Sequence, residues 1–242
     1  MKNRILLLTA AWLSVGLLYA QEVDEIITKY LDAMGGIEQL RNWETLKATG
    51  SYVMLTQGGK EVPFTTWYKA PVKKRVDMIV EGDTAIYSFD GETSWFCDPS
   101  RGVHIPMIMP EQQAKNNKDN ADEYAFIDYK NKGHKVEFLR TEKLNDKDVD
   151  VIKLIRNNGS ESYHFIECDS GHEVKIILQS KINSSIITTE ILESDFRKID
   201  WLLLPFSVET RINEKPVYKL LIDKAEINIP VSDSLFIFPS NK

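Results

Sequence analysis

The chain has 242 residues, of which 43% are hydrophobic and 10% aromatic, and its formal net charge is −6. That is enough apolar material for one sizeable core, and an acidic balance without a basic stripe argues against nucleic acid as a partner. No Cys-x-x-Cys pair, Walker loop, Gly-x-Gly-x-x-Gly or Ser/His/Asp pattern stands in the sequence, so the common enzyme motifs are excluded.

The chain opens with Lys2 and Arg4 ahead of the apolar run Ile5–Leu18, closed by Tyr19-Ala20. A basic start, a short apolar stretch and a small residue at the cut are the parts of a secretory signal peptide, predicted over residues 1–20. The apolar run is shorter than the ~20 residues a spanning helix needs. No cysteine follows the cut, which excludes lipidation there, and the expected product is a soluble exported protein of residues 21–242.

The next segment is helical. Val23, Ile26, Ile27, Tyr30, Leu31 and Met34 recur at helical spacing with Asp24, Glu25, Lys29 and Asp32 opposite, and Gly35-Gly36 ends the run. A short turn, Ile37–Asn42, leads to Trp43. Five strands are predicted next: Leu46–Thr56, Val62–Lys69, Lys73–Val80, Thr84–Asp90 and Glu92–Cys97, separated by Gly, Pro and Asp turns. Alternation along them groups Val72, Lys74, Val76, Met78 and Val80 on one face and Lys73, Arg75 and Asp77 on the other.

Between Asp98 and Tyr129 the strand rhythm breaks. His104–Met109 is apolar and proline-punctuated and reads as loop, and Glu111–Glu123 is a polar, helix-like run. Seven strands then complete the chain: Lys135–Leu144, Val149–Arg156, Ser160–Cys168, Glu173–Ser180, Ile186–Ser194, Leu202–Arg211 and Val217–Ile229. Several are apolar on both sides; Val149, Val151 and Ile155 oppose Ile152 and Leu154. One helix and a short insertion can cover only one side of such a sheet well, so the sheet either curls on itself or leaves an apolar face for a ligand.

The candidate ligand-binding residues are Trp67, Met78, Tyr87 and Trp95 on successive strands, with Met107, Ile108 and Met109 as a flexible apolar cover. Tyr and Trp offer a polar tip to an ester or headgroup, and unbranched methionines adapt to varied apolar partners. His164, Cys168 and His172 recur every fourth residue, but on a strand that spacing spans roughly 13 Å, too far for one ion. No metal or other cofactor is expected. Cys97 and Cys168 are the two cysteines, and both a disulfide and two separate thiols are compatible with their strand-end positions.

Beyond these readings, the order of several short motifs resembles a family: the helix with Gly35-Gly36, Val62-Pro63-Phe64, Lys74-x-Val76 after Ala70-Pro71, Phe89-Asp90-Gly91-x-x-x-Trp95, Pro110-Glu111-Gln112, Asn131–Val136, Asp195–Lys198, Leu204-Pro205-Phe206 and Asp233–Phe236. The whole mature chain resembles a divergent branch of the LolA/LolB/LppX superfamily of outer-membrane lipoprotein-sorting proteins. The resemblance implies a mainly β (α+β) fold, a curved antiparallel half-barrel with an N-terminal helix and a mid-chain helical lid on its concave side. It also implies a periplasmic, non-enzymatic carrier of a lipid or of lipoprotein acyl chains, with membrane-associated donor and acceptor partners. An arginine that holds the lid in such carriers has Arg75 as its nearest counterpart. The same fold used as a periplasmic sensing or protein-interaction module is the alternative function.

Overall fold

The computed structural model describes residues 22–111, 113–114, 124–182 and 185–239. The predicted leader and most of the predicted helical run Glu111–Glu123 lie outside the described residues.

Helix α1 spans residues 22–34, and its apolar stripe is the buried one: Val23, Ile26, Ile27, Tyr30 and Leu31 all leave solvent. It ends in paired backbone bonds, Gly36 N–H to Leu31 O at 2.9 Å and Gly35 N–H to Asp32 O at 3.2 Å. This arrangement needs left-handed backbone after the last turn, and Gly35 has φ 130°. A Cβ on Gly35 would stand 2.5 Å from the Trp201 carbonyl oxygen, so the absent side chain also lets the helix end dock closely. Helix α2, Ile37–Asn42, leads directly into the sheet.

The sheet begins with β1 (Thr45–Met54), β2 (Lys60–Lys69), β3 (Lys73–Val80), β4 (Asp83–Phe89), β5 (Ser94–Asp98) and β6 (Val103–Ile108). It resumes after the insertion with β7 (Lys135–Leu144), β8 (Lys147–Ile155), β9 (Glu161–Glu167), β10 (Glu173–Ile182), β11 (Ser185–Ile199), β12 (Leu202–Ile212) and β13 (Lys215–Ile227). Thirteen strands of the described residues form one antiparallel sheet in the order β6-β5-β4-β3-β2-β1-β13-β12-β11-β10-β9-β8-β7. Two meanders are thus joined through β1 and β13, the first and last strands, and the half-barrel remains open between the edges β6 and β7. At the junction the register shifts between Thr49 and Gly50, where a Cβ on Gly50 would sit 1.9 Å from the Leu221 carbonyl oxygen. Glycine permits the bulge that re-aims the strand there.

Two boundaries differ from the sequence reading. His104–Met109, read as loop, supplies β6: Met109 N–H donates to Ser94 O at 2.9 Å and Trp95 pairs with Ile108. Pro106 lies on this edge strand where its register with β5 shifts, opposite the stretch between Phe96 and Asp98, so its missing N–H breaks no regular ladder. Strand β11 continues past Ser194 through Asp195, at φ 55°, to Ile199 without losing register with β12.

The inner face of the sheet is the one α1 covers. Ile152, Leu154, Ile166 and Leu202 form one core with the helix and with Ala125, Phe126 and Ile127 of the insertion. Asp24 on α1 holds the insertion by accepting from Tyr129 Oη at 2.8 Å and Lys130 Nζ at 2.6 Å. The helix sits towards one end of the sheet, since Lys29 Nζ donates to the Cys168 carbonyl in the β9–β10 turn and Gly35 meets Trp201 in the β11–β12 turn. The turns β1–β2, β3–β4, β5–β6, β10–β11 and β12–β13 lie at the other, far end.

On the outer face the C-terminal segment, residues 231–238, lies across β2 to β5. Its carbonyls are held by Trp95 Nε1 to Phe236 O at 2.7 Å, Ser88 Oγ to Phe236 O at 3.0 Å and Arg75 Nη1 to Leu235 O at 2.8 Å. Phe236, within this strap, is fully buried.

Candidate functional site

The inner face divides into two parts. Over β7 to β9 and the near end of β12 it is sealed by α1 and the insertion. Across β12, β13 and β1 to β6 a second apolar strip continues, built by cross-strand neighbours on the same side of the pleat. Val208 faces Leu220, Leu220 faces Tyr52, and Tyr52 faces Val62. Phe64 faces Met78, Met78 faces Ala85, and Tyr87 faces Phe96, which faces Met107 of the edge strand.

Within this strip Val62, Phe64 and Ala85 are buried and form the floor, whereas Tyr52, Met78, Tyr87, Phe96, Tyr218 and Leu220 are half-buried. Tyr52 lies 5.0 Å from the Phe64 ring and edge-on to Tyr218 at 5.4 Å, and Tyr87 stacks on Phe96 at 6.0 Å. Burial pushes the Tyr52 hydroxyl pKa up, with Tyr68 and Tyr218 adding to the rise and Lys74 opposing it, so the phenol stays neutral.

A buried carboxylate stands in the strip near its far end, while Lys74 lies on the same face nearer the other end. Tyr87 Oη donates to Asp98 Oδ2 at 2.5 Å, and Ser100 Oγ donates to Asp98 Oδ1 at 2.6 Å. Burial would raise the Asp98 pKa, but the Ser100 and Tyr87 hydrogen bonds outweigh it and hold the carboxyl below its ordinary value. Burial, then Asp98, raise that of Tyr87. An apolar strip that carries a buried, hydrogen-bonded carboxylate near one end suits an amphiphile: chains along the face, a polar head beside Tyr87 and Asp98.

The structure brings some of the predicted residues together and separates others. Met78 and Tyr87 share the inner strip, and Met107 borders it on β6, half exposed. Met109 is half-buried and pairs with β5, while Ile108 points to the outer side and is exposed. Trp67 and Trp95 lie on the outer face. Trp67 pairs with Lys47, whose ammonium stands 5.9 Å from the ring, and Trp95 is buried under the C-terminal strap, edge-on to Phe238 at 6.2 Å. The reason is strand parity: Trp67 is out of phase with Phe64 and Tyr68, and Trp95 pairs with Ser88, not Tyr87.

Tyr52, Phe64, Phe96, Tyr218 and Leu220 belong to the strip but not to the predicted set. Parity with Val62 could have found Phe64, and parity with Leu46 and Ala48 could have found Tyr52. Nothing local in the sequence signals Tyr218 or Leu220, because they join through the β1–β13 pairing, formed between residues 164 or more positions apart.

Arg75, the resemblance's lid arginine, is on the outer face. It holds Asp77 at 2.7 Å and the strap carbonyl of Leu235, fastening the C-terminus. Cys97 and Cys168 are separate free thiols on β5 and after β9. Burial, then Asp150, push the Cys168 thiol pKa up to about 11.

A second polar arrangement was not foreseen. Ser162 Oγ lies 2.7 Å from His164 Nε2, and His164 Nδ1 lies 2.5 Å from Glu173 Oε1. The order serine, histidine, carboxylate resembles a hydrolase charge chain. Its setting differs, because Ser162 is wholly buried, Arg156 Nη1 donates to its oxygen at 3.2 Å, and the Phe126 ring stands edge-on to His164 at 4.8 Å. With protein packed against every member, the chain serves as a polar bridge between β9 and β10 inside the sealed half. Among the described residues no cluster of three His, Cys, Asp or Glu side chains could hold a metal ion.

No family model matches the sequence, and no curated protein does. The fold has counterparts among solved structures. A LolA superfamily protein from Nitrosomonas europaea matches with a TM-score of 0.60 at 13% identity, covering 87% of this chain and 96% of that one. A DUF1329 family protein from Desulfovibrio piger matches at 0.60 and 12%, covering 86% and 95%. A domain described as outer membrane lipoprotein-sorting, from Vibrio parahaemolyticus, matches at 0.56 and 10%, covering 83% and 94%. At such identities the likeness is one of fold, and the chain has a LolA-like fold.

Proposed function

We propose that this protein is an exported, non-enzymatic carrier that binds a lipid, or the acyl chains of a lipoprotein, on the inner-face strip and conveys it through the periplasm towards the outer membrane. The observation that carries the reading is the half-buried strip of Tyr52, Met78, Tyr87, Phe96, Tyr218 and Leu220, in a sheet whose other inner half is sealed to complete burial. Each methylene of an acyl chain moved from water onto such a face contributes about 0.8 kcal/mol, so one chain suffices for useful affinity without covalent chemistry. Tyr87 and Asp98 would meet the ester or headgroup. The wide likeness in fold to a lipoprotein-sorting domain and a LolA superfamily protein supports the reading, as does the sequence of the leader.

The test is native mass spectrometry of the protein exported in a Gram-negative host, followed by organic extraction. A co-purifying lipid or acyl peptide, lost on Met78→Glu or Phe96→Glu in a protein that still melts cooperatively, is the expected result. A clean mass that resists lipid loading would sink the carrier reading in favour of a partner-binding module.

A further inference from the structure

Of the nine exposed large hydrophobic side chains among the described residues, Met107 and Ile108 stand further along β6, Leu139 and Ile237 lie elsewhere, and the other five gather at one end of the sheet. Leu55 follows β1, Ile79 is one residue from the end of β3, Ile105 stands near the start of β6, Ile186 near the start of β11, and Ile212 closes β12. All five positions are at the far end of the sheet, opposite α1. Ile105 and Ile186 are the most exposed, at 69% and 65%. The inner strip reaches the same end, since Tyr52, Val62 and Met78 each lie within a few residues of its turns.

We propose that this rim is a membrane-docking surface, which seats the far end on a lipid bilayer so that an acyl chain passes between bilayer and inner strip without crossing water. The inference rests on the lipid-carrier reading and adds where the exchange takes place.

Three observations favour a bilayer over a protein. The side chains come from both faces: Ile212 has the inner-face parity, whereas Ile79 and Ile186 have the outer. A folded partner engages one face or one edge, while a fluid apolar surface accepts side chains from both sides of a rim. Strand addition at the edge strand β6 is opposed by Pro106, which has no N–H to offer a further strand. Finally, the exposed charges in and beside these turns balance, Lys60, Arg101 and Lys215 against Glu81, Asp83 and Glu214, in a chain whose net charge is −6. The rim therefore neither repels nor strongly attracts headgroups, and apolar insertion is left as the driving force.

The experiment is flotation of the purified protein with phosphatidylcholine vesicles. Wild type should float equally at low salt and at about 0.5 M NaCl, where surface charge is screened. Ile105→Glu with Ile186→Glu should lower the floated fraction at least tenfold while preloaded lipid is retained and the melting temperature holds. Leu55→Glu with Ile212→Glu is the independent pair, expected to do the same. Failure of wild type to float, loss of flotation in salt, or wild-type flotation by both pairs would overturn the proposal. So would a vesicle-free oligomer that these substitutions dissolve. Flotation by a protein that never retains lipid would strike the carrier reading, and by losing its premise the exchange role too.

Discussion

The two parts of the inner face are made from the same material and end up in different states. Over β8, β9 and the start of β12, Ile152, Leu154 and Leu202 are completely buried under α1 and the 124–133 segment. Over β13 and β1 to β5, Tyr52, Met78, Tyr87 and Phe96 follow the same alternation but are only half-buried. The sequence is no less apolar in the second part. What differs is the cover, since one helix of residues 22–34 spans roughly 20 Å at 1.5 Å per residue, too little for thirteen strands spaced about 4.8 Å apart. Among the described residues, a sheet this broad outruns the cover that α1 and the 124–133 segment provide, and part of its apolar face stays half-buried.

That contrast can be broken most directly in the sealed part. Leu154→Ala should cost about 2–5 kcal/mol of unfolding free energy, as a cavity forms where no solvent enters. Met78→Ala, in the strip, should cost well under half as much in denaturant titration but weaken lipid retention. Equal losses, with retention unchanged, would erase the distinction.

The outer face sharpens it. Trp95→Phe keeps most of the packing under the strap but removes the donor to Phe236 O, so a loss of about 1–3 kcal/mol is expected, with lipid retention unaltered. Falling retention in a stable Trp95→Phe protein would return the indole to the ligand site.

Acid should act on both parts through one carboxylate each. Burial pushes the Asp24 pKa up, but the hydrogen bonds from Lys130 and Tyr129 outweigh it and hold the group low; Asp98 is held low by Ser100 and Tyr87. A folded pKa below the unfolded one gives stabilisation that is present above the ordinary carboxylate range and is lost as pH falls through the lowered value. Melting temperatures should therefore fall on acidification below about pH 4, and Asp24→Asn or Asp98→Asn should each flatten that fall. An unchanged acid limb in both variants would remove these pairs from the account.

The smallest effect is chemical. With its thiol pKa at about 11, Cys168 should alkylate slowly at neutral pH in the folded protein and accelerate as pH approaches that value. Oxidation should leave a Cys97–Cys168 disulfide undetected by non-reducing peptide mapping.

Much of this architecture was legible along the chain. The stripe from Val23 to Met34 and its Gly35-Gly36 stop described α1, and β7 was bounded correctly at Lys135–Leu144 because charged and apolar residues alternate between clear turns. The strip was legible only in part. Met78 and Tyr87 share a phase that the strand pairing bears out, but Trp67 and Trp95 were grouped with them as residues of successive strands, and succession does not say which side of a pleat a residue takes. The edge strand β6 was hidden because Pro106 reads as a strand breaker unless its place on a sheet edge, at a register shift, is known. The Ser162–His164–Glu173 bridge was hidden because its members meet across a β9–β10 pairing with a register shift between Glu173 and Lys175.

By itself the sequence determined the elements and their two-sidedness. Helical and strand periods are local properties, set by the geometry of a few consecutive residues. Only the tertiary structure decided which side is inside, where the first and last strands meet, and which apolar residues a helix seals and which it leaves half open. Those outcomes depend on surfaces brought together from distant positions, such as Tyr52 against Leu220 and Trp95 against Phe236, and no local period encodes a neighbour more than a hundred residues away.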